Sequence, residues 1–213
     1  MRVSREILEH LKGADSRLEK VIDRIGDLQI STYNSSSDEF VFLVREIVGQ
    51  MISSNVKKVI LQRLMDLCNN IISPETLTNL TIEQLRGIGL SNAKCGYILN
   101  LAKLVSAKEL NFDYINSLDD EGVIKELTKI KGIGKWTSKM YLIFFLTREN
   151  ILPYEDGAFL QAYKWLYNTQ KANPESISRR CKKWEPYQSI GARYLYQALD
   201  QGLTKIPIKD FLE

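Results

Sequence analysis

Apolar residues recur at helical spacing along almost the whole chain, and caps or breakers interrupt them roughly every 12 to 20 residues. Phe40, Leu43, Val44, Ile47 and Val48 fall on one helical face. Val59, Ile60, Leu64, Leu67 and Cys68 repeat the pattern after them. Ser73 before Pro74 is a cap with proline at the first helical position, and Thr81 with Gln84 is a capping box ahead of a short helix that stops at Gly87. Leu90 to Val105 and Asp119 to Ile130 are further amphipathic stretches. Asn173-Pro174 opens another helix, and Glu185-Pro186 divides the C-terminal region in two. No stretch alternates apolar and polar residues between turn dipeptides, so hairpins are not expected. The chain reads as all-α, with roughly ten short helices. Its most apolar run, Met140 to Leu146, is too short to span a bilayer and reads as a buried helix. Ser31 to Asp38 reads as a surface loop between an N-terminal helix and the body.

Within that frame, one count restricts the chemistry. The 213 residues include a single histidine, His10. A His-rich metal site is excluded, and any Ser-His-Asp or Cys-His arrangement would have to use that residue. An enzyme built on this sequence would depend on carboxylates or lysines. Cys68, Cys95 and Cys181 are widely spaced and contain no C-x-x-C pair, which argues against a disulfide framework, a zinc site or a four-cysteine iron–sulfur cluster. A reducing, intracellular home is the simplest expectation. The charged N-terminus has no apolar h-region and does not read as a signal peptide.

Charge is informative only locally. The net charge is +3, from 29 basic and 26 acidic residues, and alone it would not mark a nucleic-acid binder. Yet residues 121–140 carry Lys125, Lys129, Lys131, Lys135 and Lys139 against Glu121 and Glu126. Residues 171–194 carry Lys171, Arg179, Arg180, Lys182, Lys183 and Arg193 against Glu175 and Glu185. The first of these segments contains Lys131-Gly132-Ile133-Gly134, a tight hairpin between two helices. It is no Walker A loop, since it is too short and Trp136 stands where Ser or Thr is required, and no Rossmann turn, since no strand precedes it. What remains is a helix N-terminus with accessible N–H groups, glycines for close approach and surrounding lysines, which suits a phosphate. The competing reading is a plain helix corner with a solvated lysine face. A similar segment, Leu85-Arg-Gly-Ile-Gly-Leu-Ser, reads as such a corner. Downstream, Asp156 stands at the start of a helix expected over Gly157 to Tyr167, where a plain N-cap is the ordinary reading.

Taken together these segments resemble the helix–hairpin–helix DNA glycosylase superfamily, in its 3-methyladenine DNA glycosylase II branch. The resemblance is carried by Ile130-Lys-Gly-Ile-Gly-Lys-Trp-Thr, by the aspartate twenty residues beyond Trp136 in a Pro-x-x-Asp context, by Phe42-Leu-Val-Arg-Glu-Ile-Val-Gly-Gln-Met-Ile-Ser, by Gly89-Leu-Ser-Asn-Ala-Lys-Cys-Gly-Tyr-Ile and by Arg179-Arg-Cys-Lys-Lys-Trp-Glu-Pro-Tyr-Gln-Ser. It covers roughly Leu18 to Leu199. It implies one catalytic unit over residues 1–213, a two-lobed helical bundle with a cleft between the lobes. A central lobe at 40–140 would hold the hairpin at 130–136, and residues 1–39 with 141–213 would form the other.

The resemblance further implies that Asp156 is the catalytic carboxylate, with Glu155 its neighbour one residue out of register. Gly132, Gly134, Lys131, Lys135 and Thr137 would contact DNA. Met51 would be an intercalating wedge, with core packing as its alternative, and Gln50 would fill the gap left by the base. Trp136, Met140, Tyr187 and Trp184 would line a base pocket, although Trp165 and Trp184 read equally well as core. Lyase members have lysine where Trp136 stands, so the expected activity is monofunctional excision of alkylated purines by base flipping, initiating base excision repair. The alternatives are excision of another damaged base and a catalytically silent DNA-binding module. No cofactor is required, although the Ile130 and Ile133 carbonyls would suit a structural monovalent cation (K⁺ or Na⁺). The implied partner is double-stranded damaged DNA and no membrane, the protein a monomer, its place the cytoplasm (the bacterial nucleoid) or, in a eukaryote, the nucleus. His10 lies outside the resemblance and is assigned no catalytic part.

Overall fold

The structure, a computed structural model, describes residues 2–30 and 36–213. The described residues form fourteen α-helices and no strand, with one isolated bridge between Arg2 and Gln29. In chain order the first seven are α1 (Arg5–Ala14), α2 (Ser16–Ile25), α3 (Ser36–Gly49), α4 (Ser54–Leu67), α5 (Pro74–Thr78), α6 (Ile82–Gly87) and α7 (Asn92–Ser106). The rest are α8 (Phe112–Ser117), α9 (Asp120–Leu127), α10 (Lys135–Met140), α11 (Gly157–Tyr167), α12 (Pro174–Cys181), α13 (Gln188–Asp200) and α14 (Ile208–Leu212). Residues 31–35 of the expected loop lie outside the described residues, and α3 already begins at Ser36.

Local chemistry starts most of these helices. Ser4, Asp15, Ser53, Ser91, Asn111, Asp119 and Asn173 each accept an N–H from the first turn of the helix they precede. Both Ser73 and Thr81 close capping boxes; Gln84 N donates to Thr81 Oγ1 (3.2 Å) while Thr81 N donates to Gln84 Oε1 (2.8 Å). A cap of this kind contributes about 1 kcal/mol, enough to set where a short helix begins.

The chain divides into two units, Tyr33–Leu146 and Met1–Thr32 with Thr147–Glu213. In the first, α3 and α5 pack on α7, and Leu43, Val44, Ile47, Leu64, Leu77, Ile98 and Leu101 are buried. Its end falls at Leu146, beyond the expected 140, because α10 runs on into a π-helical turn over Tyr141–Phe145. Tyr141 stacks on Phe145 with ring centroids 4.8 Å apart, and both rings reach Phe42, which sits on α3 of the same unit. Buried, and beside the charge of Glu39, the Tyr141 phenol is pushed far up from its ordinary value. It stays neutral and donates to Asn116 Oδ1 at 2.7 Å. In the second unit α11 and α2 pack on α13, closing Leu11, Leu18, Val21, Phe159, Leu166, Trp184 and Leu195 out of water.

Candidate active site

In the unit Tyr33–Leu146, helix α3 ends at Gly49 and the chain turns through Gln50 and Met51. The Met51 side chain is completely exposed, at 100%, and its backbone is left-handed at φ 55°. A non-glycine residue in that region costs roughly 1–2 kcal/mol, and this one gains no burial in exchange. Core packing, the alternative open from sequence, is therefore excluded for Met51. Gln50 is committed inward. Its Nε2 donates to Gly132 O (2.9 Å) and to Thr137 Oγ1 (3.2 Å), tying the turn to the glycine hairpin.

The hairpin itself joins α9 to α10. Gly132 has φ 95°, and a Cβ there would lie 2.2 Å from Tyr97 Cγ, so both the turn and the close approach to Tyr97 require glycine. Ile130 and Ile133 are buried beneath it, and Ile133 N donates to Ile130 O at 3.0 Å. Gly134 is the N-cap of α10 and, unlike Ser91 or Asn111, it supplies no side-chain cap. No side chain caps the first turn of α10, and Gly134, Lys131 and Lys135 are exposed around it, an arrangement suited to an anion. Helix α10 and its π-helical continuation run unbroken from Lys135 to Phe145, so the end of a continuous helix faces the hairpin.

Two of the residues anticipated here, Thr137 and Met140, are buried in the fold. Thr137 is 1% exposed and takes the Gln50 amide, so it braces the turn from inside and offers no surface to a duplex. Met140 is buried at 4%, since one further turn of α10 carries it into the core. Trp136 is half-buried, on the same helix as the exposed Lys135. Much of the positive charge counted in sequence is also spent within the fold. Lys129 pairs with Glu126 (2.6 Å) and Arg179 with Glu175 (3.1 Å), while the Arg180 guanidinium lies 4.6 Å from the centre of the Tyr167 ring.

In the other unit, Asp156 is the N-cap of α11. Its Oδ1 accepts the Phe159 N–H at 2.8 Å, its own N–H donates to Pro153 O at 2.9 Å, and the residue is 8% exposed. Glu155 is exposed, which separates the two carboxylates by surroundings: one is fixed and sheltered, the other faces water. The segment leading to Asp156 is pinned by Ser189, near the start of α13. Ser189 Oγ accepts from Ile151 N (2.9 Å) and Ser189 N donates to Glu149 O (2.8 Å). Sequence reasoning gave no role to Ser189, the last residue of the segment from Arg179 that carries the resemblance. Tyr187 is half-buried with His10 edge-on to its ring at 5.3 Å, so the lone histidine touches a residue expected in the base pocket. Trp184 is fully buried and its Nε1 donates to Asp15 Oδ2 at 3.0 Å, which makes it core and leaves no face for a base.

Among the described residues no group of His, Cys, Asp and Glu is placed to hold a metal, and no helix is long and apolar enough to cross a membrane. The described residues are helical, with a glycine hairpin that lacks a side-chain cap, an exposed apolar residue on a strained turn and a sheltered N-cap aspartate, the features of a helix–hairpin–helix protein. The comparison of families agrees: residues 44–186 match the model of the HhH-GPD superfamily base excision DNA repair protein, and the chain belongs to that superfamily. It is 26% identical over 196 residues to DNA-3-methyladenine glycosylase 1 of Schizosaccharomyces pombe, covering 88% of this chain and 84% of that one. The crystal structure of a DNA-3-methyladenine glycosidase from Bacillus halodurans superposes with a TM-score of 0.78 at 28% identity, over 100% of this chain and 98% of that one. The Schizosaccharomyces pombe 3-methyladenine DNA glycosylase in complex with abasic DNA gives 0.82 at 25% identity, over 92% and 97%.

Proposed function

We propose that this protein is a monofunctional DNA glycosylase that hydrolyses the N-glycosidic bond of alkylated purines, of the 3-methyladenine type, in duplex DNA. The observation that carries the reading is the Asp156 carboxylate, sheltered and oriented by the Phe159 N–H at 2.8 Å. The names of the relatives, including the Schizosaccharomyces pombe enzyme of 26% identity, supply the substrate class.

The roles follow from the chemistry. Backbone phosphate is taken by the first-turn N–H groups of α10, with Lys131 and Lys135 adding charge. Met51 enters the duplex as the damaged base leaves the stack. The C1′–N bond then breaks with its electron pair going to the purine, which an alkylated, positively charged ring accepts readily. Positive charge develops on the sugar, and the Asp156 carboxylate stabilises it and orients the water whose oxygen bonds to C1′. The water's remaining proton passes to solvent. No histidine is needed. Trp136, at the position where lyase relatives have an amine, cannot form a Schiff base, and Lys135 lies about 100° away around the helix. The half-buried faces of Trp136 and Tyr187 suit a cationic base. The hairpin carbonyls of Ile130 and Ile133 are hard neutral oxygens, and Ile130 O keeps a lone pair beyond the bond from Ile133 N, so the pair fits a monovalent cation. Such an ion would add positive charge beside the bound phosphate.

Purified protein, acting as a monomer, is expected to release 3-methyladenine or 7-methylguanine from methylated duplex DNA without nicking the strand. Preferred release of 8-oxoguanine or hypoxanthine would keep the enzyme and replace the substrate. Tight binding with no release from any lesion would replace the reading by a silent DNA-binding module.

The wedge gives a separate prediction. Met51→Gly removes the intruding side chain and relieves the left-handed strain. Base release is expected to fall about tenfold or more while stability rises by about 1 kcal/mol. Single-turnover excision alongside thermal melting checks both halves, and a loss of stability would mean that the Met51 side chain packs in solution.

A further inference from the structure

The turn at 87–91 is left over by the chemistry above, and its correspondence with the hairpin at 130–136 is not the one its letters suggest. By sequence, Gly87-Ile88-Gly89 aligns with Gly132-Ile133-Gly134. By backbone, the left-handed glycines are Gly89 (φ 105°) and Gly132 (φ 95°). Each precedes a buried aliphatic residue, Leu90 at 5% and Ile133 at 4%, then an N-cap, Ser91 and Gly134, then a helix. Gly89-Leu90-Ser91 is thus the counterpart of Gly132-Ile133-Gly134, two residues out of the apparent register. The caps differ in consequence. Ser91 Oγ accepts the Lys94 N–H and closes the first turn of α7, so this second hairpin has no open end for a phosphate.

What it carries is found three residues after each cap. Those positions are Lys94 on α7 and Thr137 on α10, and both meet Gln50. Thr137 Oγ1 takes the Gln50 side chain at 3.2 Å. Lys94 Nζ takes the backbone, donating to Gln50 O at 2.6 Å and to Val48 O at 2.8 Å. These carbonyls lie at the C-terminal end of α3, where unpaired oxygens and the negative end of the helix dipole favour an ammonium group. Desolvation draws the Lys94 amine below its ordinary pKa, a penalty the two carbonyls offset. The next residue is Met51, exposed and left-handed, in a conformation that a short turn keeps only when its surroundings dictate it.

We propose that Lys94 is a positioning residue for the wedge: the two hairpins grip the turn at 48–51 between them, Lys94 by its carbonyls and Thr137 by the Gln50 side chain, and so hold Met51 outward for insertion. The proposal rests on the glycosylase reading above for the event that the wedge serves. It makes the hairpin at 87–91 a brace and the hairpin at 130–136 the phosphate grip.

The test is a double-mutant cycle on the full chain, with Lys94→Met, which keeps the aliphatic stem, and Met51→Ala. Two readouts are taken: unstacking of 2-aminopurine placed beside the lesion in a duplex, and single-turnover release of the alkylated purine. Lys94→Met is expected to lower both about tenfold when Met51 is present and by less than about twofold in the Met51→Ala background. Lys94→Arg, which keeps a donor and the charge, is expected to regain most of the loss. Equal losses in the two backgrounds would overturn the proposal, since a merely structural lysine acts whether or not Met51 is there. Should Lys94→Met fail to fold, Lys94→Gln is read in the same cycle. Unstacking needs no chemistry, so wild-type protein that unstacks the duplex yet releases no purine would sink the substrate assignment while the cycle still decides the role of Lys94.

Discussion

Asp156→Asn is expected to keep its fold and to lose base release by on the order of 10³-fold. The two effects separate because the side chain does two jobs with different requirements. As N-cap of α11 it needs one acceptor for the Phe159 N–H, now 2.8 Å away, and asparagine serves about as well as aspartate there. As a counter-charge to the sugar cation it needs the full negative charge, which asparagine lacks. Asp156→Ala should therefore add a fold defect of about 1 kcal/mol to the same loss of release. Melting curves of both variants beside single-turnover excision from methylated duplex DNA make the comparison. Undiminished release by Asp156→Asn would move the catalytic carboxylate elsewhere, and Glu155, exposed one residue away, would be the first to examine.

That two-fold use explains how far the site could be read from sequence. Asp156 as a cap was legible because capping is local: the aspartate, the proline before it and the helical pattern after it are contiguous. Only the family spacing raised it above an ordinary cap. The glycine hairpin was legible for the same reason, as were the cap at Ser73 and the capping box at Thr81. The two glycine turns misaligned in sequence because glycine stands in them for unrelated reasons. Gly87 is simply the last residue of α6, whereas Gly89 supplies the left-handed backbone. The short helices α8 and α14 helped to bring the count above the expected ten, for five or six residues carry too little periodicity to announce a helix. The π-helical turn at Tyr141–Phe145 has no local signal, being tied to the rings of Phe42, Tyr141 and Phe145 in the packed unit. The pairings missed altogether join distant stretches of chain. Lys94 reaches Val48 across 46 positions, and Trp184 reaches Asp15 across 169. No pattern of neighbours encodes such a pairing.

Asp15 shows what such a pairing is worth, and replacing it by asparagine is expected to cost about 3 kcal/mol and to lower the melting temperature by roughly 6–12 °C. The residue is 2% exposed and serves α1, α2 and the C-terminal helices together. Its Oδ1 caps α2 through the Arg17 and Leu18 N–H groups at 3.1 and 3.3 Å, a part that asparagine can keep. Its Oδ2 accepts the Tyr167 hydroxyl, Trp184 Nε1 (3.0 Å) and Lys183 Nζ (3.0 Å). An amide NH₂ at that place would set a fourth donor against three and leave the buried indole unsatisfied. Burial pushes the Asp15 carboxyl up, but hydrogen bonds from Tyr167, Trp184 and Lys183, with the Lys183 charge, outweigh it and hold the group below the ordinary carboxylate value. A carboxyl depressed in the folded state stabilises fully above its unfolded value of about 3.9 and loses that stabilisation as pH falls through the lower folded value. The melting temperatures of wild type and Asp15→Asn should therefore lie furthest apart near neutral pH and converge below about pH 4. A gap that stays constant from pH 7 to about pH 3 would show that the ionised carboxylate is not what binds these helices together.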